Sequence, residues 1–546
     1  MRYQTALHSV TLKSLTLKKE RNYSQKLFIC QEYFTILDKY VNKPDNNRFL
    51  YNNNNLFYEE KLMGEVVLGI SSFLEKILFF DILFGSVEGL SVPFLVAWLT
   101  FGALFFTVKM GFVNVRFLGH AISILRGKYR TKEDKGLITP FQSLTTALSA
   151  TVGLGNIAGV AVAIMIGGAG ATFWMIVAGF FSMTLKFTEV TLSLQHRTFL
   201  PDGTVMGGGM RYLSEGLKAK GMGMLGKILA FIFAIFMIGG ALGGGNAFQV
   251  SQSLGAVKGE IYFFTQYPWA YGVILAILVG FVIIGGVKSI ARTTEKIVPT
   301  MVIIYLSASL YILTVNFALI PDAIMLIIHE AFAPTAVAGG MVGVMVQGFK
   351  RAAFSSEAGL GSAPIAHAPS LVKYPVRQGL VALYEPFIDT VVICTMTALV
   401  IITTGVYAGS SSELAAIIEA KQGAALTSAA YATVISWFPT ILALSVTLFA
   451  FSTMISWSYY GERAWTYLFG SKSSVVFKLF FLAVIVLSST VENLGDLVNL
   501  SDMLMLGMAL PNLIGLYLLS GNVKKALKEY SEKLKSGELD RESIKE

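Results

Sequence analysis

Long apolar runs recur along most of this chain, and their length limits what it can fold into. From Val92 onward they come in blocks of about 20 residues, the length that crosses a hydrocarbon core as a helix. They lack the ~10-residue alternation of apolar and polar residues that is typical of a membrane barrel. With 54% hydrophobic and 14% charged residues, the chain is too apolar for a soluble protein of 546 residues. The sequence therefore predicts an all-α polytopic membrane protein.

The length criterion predicts about eleven transmembrane helices. The predicted ranges are 92–110, 140–165, 171–194, 227–250, 269–287, 298–319, 336–363, 378–404, 433–457, 475–490 and 498–519. Basic residues cluster in every second loop, and the positive-inside rule places such loops in the cytoplasm. The core is therefore expected to begin outside the cell membrane and to end in the cytoplasm. The same rule accounts for the net charge of +9, so membrane lipid is an expected partner and nucleic acid is not.

Residues 1–62 differ from the rest, because they are polar and Asn-rich and carry no signal-peptide pattern. The predicted orientation would require this partly basic extension to cross the membrane. We therefore hypothesise that the functional chain starts near Met63. Residues 63–90 follow as a short amphipathic segment, which is expected to lie in the membrane interface because it holds Glu75 and Lys76.

One predicted span cannot remain a continuous helix in lipid. Between Ser149 and Gly159 it holds two glycines and Asn156 at mid-span, which indicates local unwinding beside a protein-walled cavity. A second candidate break lies between Gln347 and Gly361, where Gly359-Leu360-Gly361 repeats the pattern of the first break. Paired breaks in two five-helix halves are typical of an inverted-repeat transporter with a mid-membrane site.

This pattern predicts a division of the chain into four parts after the interfacial segment. Residues 91–138 hold the first transmembrane helix and a basic cytoplasmic loop, and 139–335 form the first inverted repeat. Residues 336–520 form the second repeat, and 521–546 form a charged cytoplasmic tail.

The chemistry of a broken helix suggests the ligands. Half-helix N-termini suit a carboxylate, while unwound carbonyls and small hydroxyls such as those of Ser452 and Thr453 suit sodium. An amino acid carried with Na⁺ is the natural pairing. These hydroxyls can instead bond their own helix backbone, and Asn156 can instead serve as a helix–helix hydrogen bond. Gln249 is a further amide that can face the cavity.

Charged residues inside spans are usually functional. Lys186 and Glu189 are three residues apart and can pair, while Lys350 and Arg351 near Glu357 are either a gate or side chains that snorkel to water. The glycine motifs lack the Gly-Lys-Ser/Thr ending of a phosphate loop, and the five histidines form no ligand cluster. Neither enzymatic chemistry nor an organic cofactor is expected.

Several long motifs, taken together, resemble the sodium:alanine symporter family (alanine or glycine:cation symporters). The resemblance covers about 75–520, with Thr172 and Ile176 as departures from the family signature. The motifs that carry it are Thr151–Gly159, Gly167–Met175, Phe354–Pro364 and Ser456–Glu462.

The resemblance implies a LeuT-type fold, with an extra first helix before two inverted five-helix repeats, and Na⁺-coupled uptake of alanine or glycine. Sodium would be held by the carbonyls of Ser149 and Val152 and by the hydroxyls of Ser452 and Thr453. The implied substrate residues are Gly153, Gly155, Asn156, Gln249, Thr453 and Trp457, with Phe349 or Phe354 as an apolar wall. Proton coupling through Glu357 or Glu189, a channel and an amino-acid sensor remain as alternatives.

Overall fold

The computed structural model describes residues 69–86, 90–332, 340–419, 422–491 and 495–543, most of which are helical. The predicted extension 1–62 and the start near Met63 lie outside the described residues. Within the predicted interfacial segment, residues 69–78 form a helix that buries Leu74 and Leu78.

The main helices are numbered here in chain order. The first half of the chain contributes α1 (Phe94–Lys109), α2 (Leu118–Leu125), α3 (Pro140–Thr151), α4 (Val160–Gly167), α5 (Ala171–Gln195), α6 (Gly223–Leu242), α7 (Phe248–Lys258), α8 (Pro268–Ile284), α9 (Gly286–Val315) and α10 (Ile320–Phe332). The second half contributes α11 (Gly340–Ser356), α12 (Ala363–His367), α13 (Pro375–Val381), α14 (Thr395–Thr403), α15 (Ser412–Glu419), α16 (Gly423–Ala432), α17 (Phe438–Phe469), α18 (Ser474–Thr490), α19 (Gly495–Gly507), α20 (Ala509–Lys535) and α21 (Glu538–Glu542). Two short strands, β1 (Thr198–Phe199) and β2 (Val205–Met206), pair antiparallel.

Length and composition confirm a multi-pass membrane protein. Among the described residues, seven helices can cross a membrane, or eight if α3 and α4 with its leading turn count as one bent span. Two of these helices join numbered segments through π-helical turns, giving Gly223–Lys258 and Pro375–Thr403. Helices α1 and α8 are shorter and apolar. The number of about eleven spans stays a prediction.

Several helices lie between the predicted spans, in segments that the length criterion passes over, and α10, α15 and α16 are examples. Helices α10, α15 and α16 are 13, 8 and 10 residues long, and the first two carry acidic residues. Helix α20 also extends well beyond the predicted end of its span. Lys525–Glu529 and Lys528–Glu532 pairs on its exposed face support this extension, because residues four apart are neighbours on a helix.

The first predicted break is present. Helix α3 begins with a capping box, in which Thr139 Oγ1 accepts from the Gln142 N–H at 3.1 Å and the Gln142 side chain accepts from the Thr139 N–H at 3.0 Å. The helix ends at Thr151, Val152 is extended, and the chain resumes as a helix bent by 54° from the first.

The chain also leaves the helix after α11, within the interval predicted for the second break. The five-residue α12 follows it, and a second broken span stays a prediction. The chain leaves the helix after Ser356, and Glu357, Gly359 and Gly361 all have positive φ before α12 begins. A Cβ at Gly361 would lie 2.9 Å from a ring carbon of Phe233 and 3.0 Å from the Asn512 side chain, so this close approach requires glycine. Helix α17, packed against α3, α6 and α7, closes the other side of the first break.

Candidate substrate and ion site

A cavity of about 910 Å³ lies at the first break. Predicted site residues from the break, α7, α11 and α17 share its wall. They are Gly153, Gly155, Gln249, Phe354, Thr453 and Trp457. The structure therefore brings together most of the predicted substrate residues, although they come from four distant parts of the chain.

Backbone donors form one side of this cavity. Leu154 and Gly155 begin the second half of the broken helix and line the cavity, and the first N–H groups of a helix have no acceptor within it. The Gly153 N–H is different, because it donates to Asn156 Oδ1 at 2.8 Å. The donors available to a ligand are therefore those that follow Gly153.

Asn156 lies behind the cavity wall, where it is 1% exposed. Its amide nitrogen donates to Asp389 Oδ1 at 2.7 Å and to Ser355 Oγ at 3.1 Å. Both ends of the side chain are thus bound within the protein. These are the contacts expected for the helix–helix alternative for Asn156, and they hold the shape of the break. Its role in binding the substrate stays a prediction.

Two of the four predicted ion ligands meet between α3 and α17. The Thr453 hydroxyl donates to the Ser149 carbonyl at 3.1 Å, so two of the predicted oxygens face each other. The Ser149 hydroxyl donates to the Ser452 carbonyl at 2.5 Å. The Ser452 hydroxyl instead donates to Phe449 O of its own helix at 2.9 Å, and Val152 is buried at the break.

Glycines in the Gly223–Lys258 helix make room for Trp457. A Cβ on Gly245 would lie 2.4 Å from the Trp457 Cβ. Gln249 donates to Gly244 O at 3.0 Å, and its Oε1 has no hydrogen-bond partner among the described residues. Asn246 donates away from the cavity to Phe481 O at 2.8 Å. Gln249 and Gln252 are therefore the amides of this helix that line the cavity.

The two predicted apolar walls separate in the structure. Phe354 lines the cavity, whereas the ring of Phe349 packs 6.3 Å from the ring of Trp174. The gating candidates also separate, because Arg351 and Glu357 line the cavity and Lys350 lies outside its wall.

Two carboxylates that lie near the site and within predicted spans were not singled out from the sequence. Asp502 lines the cavity. Asp389 is fully buried and accepts from Ser355 Oγ at 2.6 Å and Thr390 Oγ1 at 2.8 Å, as well as from Asn156. Each is an acidic residue within a predicted apolar span, and that signal alone marks a functional candidate.

Comparison with known proteins identifies the family of this chain. The model of the sodium:alanine symporter family matches residues 79–544. The chain is 39% identical over 441 residues to the sodium/alanine symporter AgcS of Methanococcus maripaludis, covering 81% of this chain and 94% of that protein. It is 34% identical over 446 residues to the "Probable sodium/glutamine symporter GlnT" of Bacillus subtilis, covering 81% and 88%. It is also 33% identical over 439 residues to the amino-acid carrier protein AlsT of Bacillus subtilis, covering 80% and 88%. The chain therefore belongs to the sodium:alanine symporter family and is a transporter rather than an enzyme.

Proposed function

We propose that this transporter imports a small neutral amino acid, alanine or glycine, together with sodium. The observation that carries the proposal is the broken helix, which presents free backbone donors to a cavity that Thr453 also lines. The N–H groups of Leu154 and Gly155 suit a carboxylate, because a helix N-terminus favours anions. The fold that we propose for it is the LeuT type, with an extra first helix before two inverted repeats.

Sodium is supported by the oxygens on the opposite side of the break. The Ser149 carbonyl and the Thr453 hydroxyl lie 3.1 Å apart, and such neutral oxygens suit a sodium ion at an unwound helix. The cavity wall also holds three carboxylates, Glu260, Glu357 and Asp502, against the single guanidinium of Arg351 among the described lining residues. Where these groups are ionised, they attract cations into the cavity.

The size of the substrate is set where Trp457 closes the cavity. A small pocket there admits alanine or glycine, although one methylene changes the binding free energy by only about 1–3 kcal/mol. Glutamine is a second candidate, because the cavity of about 910 Å³ also has room for a longer side chain. The unpartnered Oε1 of Gln249 favours this candidate, since it can accept from an amide nitrogen.

The proposed mechanism is alternating access. Sodium binding orders the broken helix and completes the carboxylate site, and the amino acid then favours closure of the outer side. The core begins outside the cell membrane and ends in the cytoplasm in this proposal. The sodium gradient and the membrane potential drive uptake, and the potential contributes about 2.3 kcal/mol per charge per 100 mV.

Labelled-alanine uptake into proteoliposomes tests this proposal under imposed Na⁺ or H⁺ gradients. We expect the sodium gradient alone to drive saturable uptake. Thr453→Ala removes one ion ligand, and a loss of about 1.5–3 kcal/mol raises the half-saturating sodium concentration roughly 10- to 100-fold. Thr453→Ser keeps the oxygen and should stay close to wild type.

Thr447→Ala is the matched control, because the Thr447 hydroxyl donates to Ala443 O of its own helix at 2.8 Å. It should leave the sodium dependence unchanged. Uptake driven by H⁺ without Na⁺ would favour proton coupling, and flux that does not saturate would favour a channel. Competition by glutamine, glycine and alanine ranks the substrates. If neither gradient drives uptake, the symporter proposal fails.

A further inference from the structure

A cluster of charged side chains lies apart from the proposed sodium and substrate contacts. Lys186 and Glu189 come from α5, His367 from α12 and Glu385 from the Pro375–Thr403 helix, and all four side chains have no exposed surface. Lys186 Nζ lies 2.8 Å from Glu385 Oε1 and 3.8 Å from Glu189 Oε1. Lys186 is therefore paired mainly with Glu385.

His367 adds no positive charge to this cluster. Its Nδ1 lies 2.7 Å from Gln378 Nε2, and the Gln378 Oε1 accepts from Ser370 Oγ at 2.7 Å. The Gln378 nitrogen also faces the Pro140 carbonyl at 3.4 Å, which fixes the orientation of the amide. Nδ1 must then accept a hydrogen bond, so the imidazole is neutral and its Nε2–H faces Glu385.

The charges of the cluster do not balance if every carboxyl group is ionised. Lys186 is the one cation that the described residues place there, and it faces both Glu189 and Glu385. Glu357 is also buried, but it lines the cavity and accepts from Ser362 Oγ at 2.6 Å. A buried carboxylate without its own cation is very costly, and in practice such a group takes up a proton.

Glu189 is the group left without a full partner. Its Oε2 accepts from Asn512 Nδ2 at 3.1 Å, and the Asn512 Oδ1 is taken by the Tyr212 hydroxyl. Its Oε1 has no hydrogen-bond partner among the described residues. The remaining groups that face Glu189 are Lys186 on its own helix, Glu385 across Lys186, and the Gly361 backbone N–H at the second break.

We propose that Glu189 binds one proton in this conformation, at a site separate from the proposed sodium site. The proton comes from solvent, and Glu357 connects the cluster to the cavity, because it lines the cavity and interacts with Lys186 electrostatically. Loss of the proton leaves two carboxylates sharing Lys186, which destabilises this conformation. Raising the pH should therefore slow transport. This inference goes beyond sodium-coupled uptake and does not depend on which amino acid is carried.

The test compares Glu189→Gln, which is permanently neutral, with Glu385→Gln, which removes the partner of Lys186. Thermal stability of the purified full chain is measured from pH 5 to 9, together with sodium-driven alanine uptake. Wild-type stability should fall as the pH rises, and uptake should fall by up to about tenfold per pH unit once Glu189 is ionised. Glu189→Gln should fold normally and lose both pH dependences, whereas Glu385→Gln should be less stable throughout.

A wild-type protein that is insensitive to pH would overturn the proposal, as would a Glu189→Gln variant with the wild-type pH slope. Unfolding of Glu189→Gln with normal folding of Glu385→Gln would also overturn it, because the proton would then be assigned to the wrong group. Thr453→Ala should keep the wild-type pH slope of stability. The stability measurement does not require transport, so failure of the proposed symport and failure of this inference are distinguishable.

Discussion

Replacing Asn156 with alanine tests whether side-chain bonds hold the first helix break in shape. Asn156 accepts from the Gly153 N–H at 2.8 Å and donates to Asp389 Oδ1 at 2.7 Å. Alanine leaves both groups buried without these partners, while Asp389 Oδ2 keeps its 2.6 Å bond from Ser355. Each orphaned group costs about 1–3 kcal/mol, so we expect a total loss of about 2–6 kcal/mol.

Part of this loss should appear as weaker alanine binding. The Leu154 and Gly155 donors follow Gly153 directly, so a relaxed break moves them away from the carboxylate position. We expect the alanine dissociation constant at saturating sodium to rise at least tenfold, which corresponds to about 1.4 kcal/mol. Binding of labelled alanine and thermal unfolding of the purified protein measure the two effects separately.

Asn246→Ala is the matched control for this measurement. Asn246 is a fully buried amide at another irregular turn, and it donates one bond to Phe481 O at 2.8 Å. Its loss should lower stability and leave alanine affinity within about twofold, because the side chain points away from the cavity. Wild-type alanine affinity in Asn156→Ala, or an equal loss of affinity in Asn246→Ala, would show that the Asn156 bonds do not hold the donors in place.

Two further predictions concern the cavity wall and the tail. Gly245→Ala should strongly reduce alanine uptake, because the new Cβ would lie 2.4 Å from the Trp457 Cβ, whereas Gly255→Ala in α7 meets no described atom within 4 Å and should transport normally. At the tail, a hydrogen bond from Lys373 lowers the pKa of Glu542. This pair therefore stabilises docking of the tail at neutral pH, and it loses that contribution as the pH falls below about 4.3, where the free carboxyl group becomes protonated. Limited proteolysis should show faster cleavage of the tail at acidic pH. At neutral pH, Glu542→Gln should weaken docking of the tail by less than about 1 kcal/mol, and high salt should mask this difference.

The parts of the fold that could be predicted from the sequence are those fixed by the membrane. Apolar length locates helices such as α5 and α8, and the glycines at 153 and 155 locate the break, because lipid permits few exceptions to continuous helix. Helices α10, α15 and α16 obey no such rule. They are short, two of them carry acidic residues, and tertiary contacts rather than length decide that they are helical.

The sequence predicts which helices contribute to the site, but not which of their side chains point into it. Thr453 and Trp457 are four residues apart, so a shared face follows from helical spacing, and both line the cavity. Spacing could not decide whether Phe354 or Phe349 lines the cavity, because that depends on how α11 is rotated against its neighbours. It also could not show that Asn156 turns to Asp389, since that contact joins segments 233 residues apart.

The contact between α3 and α17 is made largely of small hydroxyl groups. Ser149 and Ser456 lie 2.9 Å apart, and Ser456 donates to Thr146 O at 2.9 Å. A serine hydroxyl in a helix can also bond a carbonyl of its own helix, as Ser452 does with Phe449 O. One helix can therefore slip along the other by exchanging hydrogen bonds one for one, with little net enthalpic penalty. A contact of interlocked leucines would have to be unpacked before it could move in this way.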